Sequence, residues 1–176
     1  RATAQAISYE AAIGLSLVAV VLFTATQGDG GTLSLAEIVN RQQGNWGDIS
    51  PLFSWVPRWN IIPQVVAFVI FMTAAIAETN RAPFDLVEAE QELVGGFHTE
   101  YSGMRFAMFF LAEYVNIFSM SALTATLFLG GWLGPTWDGV LPAFVSGALP
   151  TVWFLAKTYA VFFIFIWIRA TLPRFR

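Results

Sequence analysis

Residues 78–101 read ETNRAPFDLVEAEQELVGGFHTEY, and they hold six of the twelve acidic residues of the chain. Two strongly apolar segments flank this stretch. The whole chain is apolar as well, because 56% of its 176 residues are hydrophobic and only 12% are charged. Typical soluble domains have about 25% charged residues, and a soluble fold of this size does not hide so much apolar surface. We therefore expect a membrane protein with an acidic segment at the membrane boundary.

The composition also argues against several kinds of site. The chain has no cysteine, which excludes disulfides, thiolate-held clusters and cysteine nucleophiles within it. Its single histidine, His98, argues against a histidine-based metal site, and we predict no metal site. No basic patch indicates nucleic-acid binding. The chain begins at Arg1 without a methionine or a signal-peptide pattern, so we expect a fragment of a longer protein.

Four segments have the apolar character and the length of about 20 residues that a membrane helix needs. We predict an all-α fold, a single membrane domain forming a polytopic bundle of four transmembrane helices with a short amphipathic helix on the cytoplasmic side. The spans cover about residues 2–26, 61–77, 106–129 and 152–168, joined by an acidic loop at 78–105 and by outer loops at 27–60 and 130–151. A surface helix is predicted around Leu33–Arg41, where Thr32 or Ser34 can cap it and Glu37 can support the cap.

The distribution of arginines predicts the orientation, because cytoplasmic loops carry an excess of basic residues. Only Arg41 and Arg58 fall on the side opposite the acidic loop. Six arginines fall on the same side as the acidic loop: Arg1, Arg81, Arg105, Arg169, Arg174 and Arg176. The acidic loop is therefore expected on the cytoplasmic side, here called the inner side. Six of the seven tryptophans lie on or near the outer side, where they suit an interfacial belt.

The acidic segment has the signals of a short helix. Pro83 suits the first helical position and Gly95-Gly96 suits the end, which predicts a helix from Pro83 to Val94. At 100° per residue Asp85, Glu88 and Glu92 share one face, whereas Glu90 falls on the apolar face, where a carboxylate needs a partner. The alternative interpretation is an amphipathic helix with a solvated acidic face. An anionic inner leaflet repels such a helix, which argues against this alternative.

Acidic residues also occur within the predicted spans. Glu10 lies in the first span, Glu113 lies in the third, and Glu78 ends the second. A charge at the bilayer centre costs at least about 2.5–3.5 kcal/mol, and such residues usually mark ion pathways. We therefore predict a proton relay. The alternative is a neutral, hydrogen-bonded carboxyl that fixes helix packing or, for Glu78, a solvated helix end.

Lys157 lies within the fourth span, about five residues from its outer end. It either extends its ammonium to the outer interface or bridges to a neighbouring proton pathway.

Three strings carry a resemblance to a known family. They are RATAQAISYE at residues 1–10, ETNRAPFDLVEAEQELVGGFHTEYSGMRFAMFFLAEYVN at 78–116 and RATLPRFR at 169–176. They resemble the H-type membrane subunit of bacterial NADH:quinone oxidoreductase, respiratory complex I, whose mitochondrial counterpart is subunit 1. The resemblance covers essentially the whole chain and is less distinctive in the two outer loops. Because the family subunit has eight membrane helices, the resemblance implies that this chain holds its fourth to seventh.

The resemblance also implies roles for particular residues, in a quinone chamber and in a funnel of carboxylates that leads protons into the membrane. It assigns to the proton path Glu10, Glu78, Glu88, Glu90, Glu92 and Glu113. It assigns to the chamber and its coupling loop Arg1, Arg81, Asp85, Glu100 and Tyr101. Arg81 precedes the acidic helix, where its charge can stabilise several of these carboxylates.

The same resemblance implies the chemistry and the partners. The chain is expected to belong to an enzyme only as a subunit, with quinone as a substrate and no covalently bound cofactor. Iron–sulfur clusters and flavin are expected only in partner subunits. The expected partners are the peripheral redox arm on the cytoplasmic side, small membrane subunits, antiporter-like subunits and membrane lipid. The expected location is the bacterial inner membrane, as a multi-pass protein.

Three other functions compete with this interpretation. A homologous subunit of a membrane-bound hydrogenase would share the acidic loop but would couple electron transfer to ions without quinone. A stand-alone secondary transporter predicts an inverted repeat with broken helices, and the sequence shows no internal repeat. A membrane anchor without a role in proton transfer has no need of intramembrane acids, so Glu10 and Glu113 argue against it.

Overall fold

The fold is all-α, as predicted. A computed structural model describes residues 2–28, 30–45, 56–79, 84, 103–135 and 143–173 of the chain, with side chains from residue 7 in the first helix and from residue 145 in the last. The described residues contain no strand, only an isolated bridge between Asn45 and Pro57. Five helices follow in order: α1 (Ala2–Thr26), α2 (Leu35–Arg41), α3 (Val65–Glu78), α4 (Met104–Phe128) and α5 (Ala143–Thr171).

Three candidate membrane spans are found in the described part of the chain, rather than the four predicted. They are Ile7–Thr26 in α1, Met104–Phe128 in α4 and Val145–Thr171 in α5. The second predicted span, 61–77, corresponds to α3, which has only 14 residues. A helix of this length extends about 21 Å, which is shorter than a hydrocarbon core of about 30 Å.

The second predicted span, 61–77, begins later than the sequence suggests. Residues 61–64 form turns, and α3 begins only at Val65. The backbone N–H of Ile61 donates to the carbonyl of Phe128 at 3.0 Å, so it leaves the helical pattern to join the end of α4. This tertiary hydrogen bond ties the start of the apolar run to the end of α4.

The last predicted span, 152–168, begins earlier than the sequence suggests. Helix α5 begins at Ala143, so its first nine residues belong to the stretch that was predicted as the outer loop 130–151. Pro150 lies inside the helix. Because proline has no backbone N–H, it usually marks a boundary, but in α5 the helix continues through it.

The helices pack in two pairs, α1 with α3 and α4 with α5. On α1, α4 and α5, buried positions recur at intervals of three or four residues and therefore share one face. On α1, α4 and α5 these positions include Ile13, Ser16, Val20, Thr24, Ile117, Ser121, Thr124, Phe128, Thr158, Val161 and Phe165. Phe128 also joins α4 to α3, because its ring centroid lies 5.6 Å from that of Phe71. On α4 the buried positions begin only at Ile117, so the core lies toward the outer side.

Several hydroxyl groups on the buried faces bond to their own helix. Ser16 donates to the carbonyl of Ile13 at 2.6 Å, and Ser121 donates to that of Ile117 at 2.8 Å. A polar group in an apolar environment is costly unless it has a partner, and these local bonds supply one. Because of these local bonds, the two buried hydroxyl groups do not need a polar partner on another helix.

The carbonyl groups at the end of α4 receive hydrogen bonds from distant parts of the chain. Gln42 Nε2 donates to the carbonyls of Thr126 at 3.3 Å and Leu127 at 3.2 Å. Asn60 Nδ2 donates to the carbonyl of Leu127 at 3.0 Å, and its backbone N–H donates to Gln42 Oε1 at 3.1 Å. Both side chains are 1% exposed. We call this set, together with Lys157 described below, the outer cap; it fixes α2 and the turn before α3 onto α4.

Arg41 performs a similar task at the end of α1. Its Nη1 donates to the carbonyl of Thr24 at 2.6 Å and to that of Gly30 at 2.8 Å. Its Nη2 lies 2.5 Å from Glu37 Oε1. A hydrogen bond from Thr32, followed by the Arg41 guanidinium, lowers the pKa of the Glu37 carboxyl. A cation at a helix C-terminus is favourable because the helix dipole places partial negative charge there.

Helix α2, which carries Arg41, begins at Leu35 rather than at the predicted Leu33. Ser34 occupies the N-cap position of α2, but its side chain makes no capping hydrogen bond. Instead Thr32 Oγ1 accepts a hydrogen bond from the backbone N–H of Ser34 at 3.1 Å. The threonine thus stabilises the turn that leads into the helix.

Two glycines make the turn after α4 possible. Gly130 and Gly131 have φ values of +72° and +50°, which residues with a side chain rarely adopt. A Cβ atom on Gly130 would lie 2.8 Å from Trp59 Cδ1, and one on Gly131 would lie 2.9 Å from Val39 Cγ2. The turn therefore needs glycine both for its backbone and for the close approach of these side chains.

We expect Gly130→Ala to lower the stability of the protein by at least about 1–2 kcal/mol, the cost of a left-handed backbone, with a further cost from the contact with Trp59. Gly14→Ala is the matched control, because no atom lies within 4 Å of the added Cβ. Thermal denaturation of the detergent-solubilised protein measures both variants. Equal midpoints for the two variants would contradict this account of the turn.

We expect Arg41→Met to destabilise the protein by about 2 kcal/mol, since hydrogen bonds to a charged group each contribute about 1.5–3 kcal/mol. Glu37→Gln should change stability little at neutral pH, because an exposed ion pair contributes little. At pH values above the usual carboxylate pKa, ionised Glu37 stabilises the fold. This stabilisation is lost as the pH falls through the lowered pKa of Glu37. Denaturation midpoints across acidic and neutral pH test both statements, and a larger loss in Glu37→Gln than in Arg41→Met at neutral pH would contradict them.

Candidate functional site

Two carboxylates meet at the inner ends of α1 and α3. Glu10 lies in the first half of α1, and Glu78 is the last residue of α3. The two helices pack against each other and run in opposite directions across the predicted membrane, which brings the two residues to the same level. Burial and, after it, the nearby charge of Glu10 act on the Glu78 carboxyl. The structure thus brings together two of the predicted proton-path residues.

The environments of the two carboxylates differ. Glu10 is exposed, whereas Glu78 is partly buried. Glu78 Oε2 is buried and has no hydrogen-bond partner among the described residues. Two ionised carboxylates near each other repel, and a further charge beside them acts on both. A role of this pair in proton transfer stays a prediction.

Phe84 lies near the start of the acidic segment 78–101. It is the only described residue between positions 80 and 102. Its ring centroid lies 6.3 Å from that of Tyr9, and it packs against the hydrophobic core. Tyr9 precedes Glu10 in the chain. The beginning of the acidic segment therefore lies at the inner end of α1, beside the carboxylate pair.

Glu113 lies in the inner half of α4 and is partly buried. Thr124 is eleven residues further along, which is close to three full turns, so both side chains lie on one face of the helix. Thr124 Oγ1 lies 3.9 Å from Met72 Sδ of α3. The face of α4 that carries Glu113 is therefore the face that meets α3. The role of Glu113 in the proton path stays a prediction.

The other site residues predicted from the sequence lie outside the described part of the chain. The predicted helix from Pro83 to Val94 lies there as well, apart from Phe84. The residues concerned are Arg1, Arg81, Asp85, Glu88, Glu90, Glu92, Glu100 and Tyr101. Their roles in a quinone chamber or a proton path stay predictions.

Lys157 was expected to reach the outer interface or a proton pathway, and the structure places its ammonium elsewhere. Nζ donates hydrogen bonds to the carbonyls of Leu129 at 2.7 Å and Gly131 at 3.1 Å, and to that of Leu133. It also lies 4.6 Å from the centroid of the Trp59 ring. The side chain is 9% exposed, so its charge faces protein carbonyl groups rather than water.

Sequence reasoning missed Gln42 and Asn60, the other members of the outer cap. Both are polar residues in a loop, where exposure is the usual expectation. The only signal for such a cap was the Gly-Gly pair that follows a long apolar segment, since glycines at a helix end often form a turn that binds the last carbonyls.

The larger cavity in the described part of the chain lies far from the carboxylates. It has a volume of about 640 Å³ and is lined by residues of the outer end, among them Trp59, Trp132 and Trp153. Glu10 and Glu78 lie at the opposite end of the bundle, so this cavity is not a candidate for the quinone chamber. No group of three His, Asp or Glu side chains among the described residues is arranged to hold a metal ion.

Comparisons with known proteins agree with the sequence resemblance. The family model described as NADH dehydrogenase matches residues 1–176. The chain is 51% identical over 178 residues to the second H-type subunit of the NADH-quinone oxidoreductase of Koribacter versatilis, a match that covers 100% of this chain and 46% of that protein. It is 50% identical over 176 residues to the corresponding H-type subunit of Protochlamydia amoebophila, covering 100% of this chain and 45% of that protein.

A third relative is longer than these two. The chain is 49% identical over 176 residues to the H-type subunit of the NADH-quinone oxidoreductase of Frankia casuarinae, covering 100% of this chain and 34% of that protein. The chain thus spans less than half the length of each of these curated relatives. Since the family model matches every residue of it, the chain belongs to the NADH dehydrogenase family.

Proposed function

We propose that this chain is part of the membrane subunit that couples quinone reduction to proton translocation in a bacterial NADH:quinone oxidoreductase. Relatives about 50% identical over the whole chain carry the name of the H-type subunit of that enzyme. The apolar helices α1, α4 and α5 fit a membrane location, which we take to be the bacterial inner membrane. The chain is not an enzyme by itself, because electrons must reach the quinone from partner subunits.

The observation that carries this proposal is the placement of Glu10 and Glu78 near each other at the inner ends of α1 and α3. A membrane anchor has no need of two interacting carboxyl groups, one of them partly buried without a hydrogen-bond partner in the described residues. A proton relay needs groups whose protonation responds to a nearby charge. The contact between Phe84 and Tyr9 also puts the start of the acidic segment beside this pair.

Quinone reduction supplies the charge to which the pair responds. Adding electrons to a quinone in a poorly solvated chamber creates negative charge until protons arrive. At an effective dielectric constant of about 20, a unit charge about 10 Å away changes the free energy of a carboxylate by about 1.7 kcal/mol. That is more than one pKa unit, or more than a tenfold change in proton occupancy. Carboxylates at this distance from the chamber therefore bind protons when the quinone is reduced.

The remaining parts of the proposed route follow from their positions. Asp85, Glu88, Glu90 and Glu92 would lead from the chamber to the pair, with Arg81 balancing their charge. Glu113 would continue the route into the membrane, because it lies on the face of α4 that meets α3. Arg1, Glu100 and Tyr101 would border the chamber.

The proposal also specifies the partners. The peripheral arm, which would hold the flavin and the iron–sulfur clusters, would dock on the inner side beside the acidic segment. Small membrane subunits and antiporter-like subunits would receive the coupling within the membrane. This chain would hold no cofactor of its own, and quinone would be its substrate.

We expect Glu10→Gln and Glu78→Gln, made in the assembled complex, each to reduce quinone-coupled proton pumping about tenfold or more, because an amide cannot exchange a proton and general acid–base groups contribute about 10²–10⁴-fold. The double variant should lose about as much as either single variant, since groups that act as a unit are not additive. Proton uptake by vesicles during NADH oxidation measures this.

The control for this experiment is Glu37→Gln, an exposed carboxylate on the outer side. It should pump like the unmodified complex. The variants Glu92→Gln and Glu113→Gln extend the test along the proposed route. Pumping at the unmodified level in both Glu10→Gln and Glu78→Gln, in complexes that contain all subunits, would remove the pair from the route.

A quinone analogue separates the proposal from the hydrogenase interpretation. We expect a short-chain quinone analogue that cannot be reduced to inhibit electron transfer in the assembled complex competitively with quinone. It should also slow proteolysis within residues 78–103, since a bound ligand stabilises the state that binds it. An ion-coupled hydrogenase does not bind quinone. If a saturating analogue caused neither inhibition nor protection from proteolysis, the result would support the hydrogenase interpretation instead.

A further inference from the structure

We infer that Lys157 is a cation whose ammonium serves as a built-in ligand for the backbone carbonyls at the outer end of α4, and that it is not a proton carrier. This role is independent of the proposed proton route, and the first measurement that tests it is assembly rather than pumping. Lys157 is the only lysine in the chain.

The geometry matches an ammonium group. An ammonium has three N–H donors and no acceptor. The carbonyls of Leu129, Gly131 and Leu133 provide three acceptors around Nζ. A neutral amine has two donors and a lone pair, so one of the three carbonyls would face a lone pair. The arrangement therefore fits the charged form alone.

Two further features of the site favour a cation. The first is the helix dipole, because Leu129 directly follows the end of α4, where partial negative charge accumulates. The second is Trp59, whose ring lies 4.6 Å from Nζ. The face of an indole ring attracts a cation, and the attraction strengthens when the site is desolvated. Carbonyls, helix end and ring act together on the same charge.

The surrounding turn is built to hold these groups in place. Gly130 and Gly131 adopt positive φ in the turn whose carbonyls at Leu129, Gly131 and Leu133 face Nζ. The backbone N–H of Gly131 donates to the carbonyl of Ala125 at 2.8 Å, so the turn closes back onto α4. Trp59 packs against Gly130, where even a Cβ atom would not fit. Lys157 thus ties α5, the end of α4 and the segment before α3 together.

The decisive experiment replaces Lys157 in the assembled complex. We expect Lys157→Met, which keeps the length of the side chain but removes the charge, to lower the fraction of assembled complex and its thermal midpoint by at least about 5 °C. Arg169→Met is the matched control, because Arg169 is an exposed cation on the same helix, and it should assemble like the unmodified complex. A Lys157→Met complex with unchanged assembly and midpoint would overturn the inference.

Lys157→Arg distinguishes a fixed charge from a proton carrier. Arginine stays charged at any working pH. The complexes that assemble with Lys157→Arg should therefore pump protons per electron as the unmodified complex does. Normal quinone reduction with lost pumping in this variant would show that Lys157 has to release its proton, and the inference would be wrong.

Chemical rescue covers the case in which both variants fail to assemble. Lys157→Ala leaves space at the carbonyls, and methylammonium added during assembly should restore part of the complex. Tetramethylammonium should not, because it has the charge but no N–H donor. Failure of methylammonium, or equal rescue by both ions, would contradict a hydrogen-bonded ammonium site. None of these outcomes depends on Glu10 or Glu78, so failure here leaves the proposed proton route untouched.

Discussion

The architecture depends on the carbonyl groups that α4 leaves free at its outer end. A helix end has no internal donors for its last carbonyls, and in an apolar environment each of them needs one from elsewhere. Gln42, Asn60 and Lys157 supply those donors from three different parts of the chain. The positions of α2, of the turn before α3 and of α5 follow from this requirement. Hydrophobic packing alone does not fix them, because many large side chains such as Leu15, Val66 and Phe163 point away from the core.

The two cations on the outer side have the same physical role. Arg41 bonds to the end of α1 and Lys157 to the end of α4, and both helices end on that side. Of the acids in the proposed proton route, the described ones, Glu10, Glu78 and Glu113, lie at or toward the other end, where Glu78 has a buried oxygen without a partner in the described residues. The described hydrogen bonds from charged and amide side chains to helix-end carbonyls thus lie at the outer end. In the proposed function, a change in charge would act at the inner end, while the outer end would hold the helices in register.

The sequence predicts those features that depend on local pattern and composition. The all-α fold, the helix at Leu35–Arg41 and the placement of acids at one end of the helices follow from apolar runs and charges. The start of α3 and the partners of Lys157 do not follow, because they depend on hydrogen bonds between distant residues. Gln42 and Leu127, for example, are 85 positions apart. The pairing of Glu10 with Glu78 required the packing of α1 on α3, although each acid was recognisable as unusual within an apolar segment.

The central claim is that the outer cap is a fixed support and that the inner carboxylates respond to quinone. A density map of the assembled complex, recorded before and after quinone reduction, tests it most directly. The account predicts that Lys157 Nζ stays within hydrogen-bond distance of the carbonyls of Leu129 and Gly131 in both states, while the surroundings of Glu10 and Glu78 change. A map in which Lys157 leaves these carbonyls on reduction, with the Glu10–Glu78 pair unchanged, would contradict it.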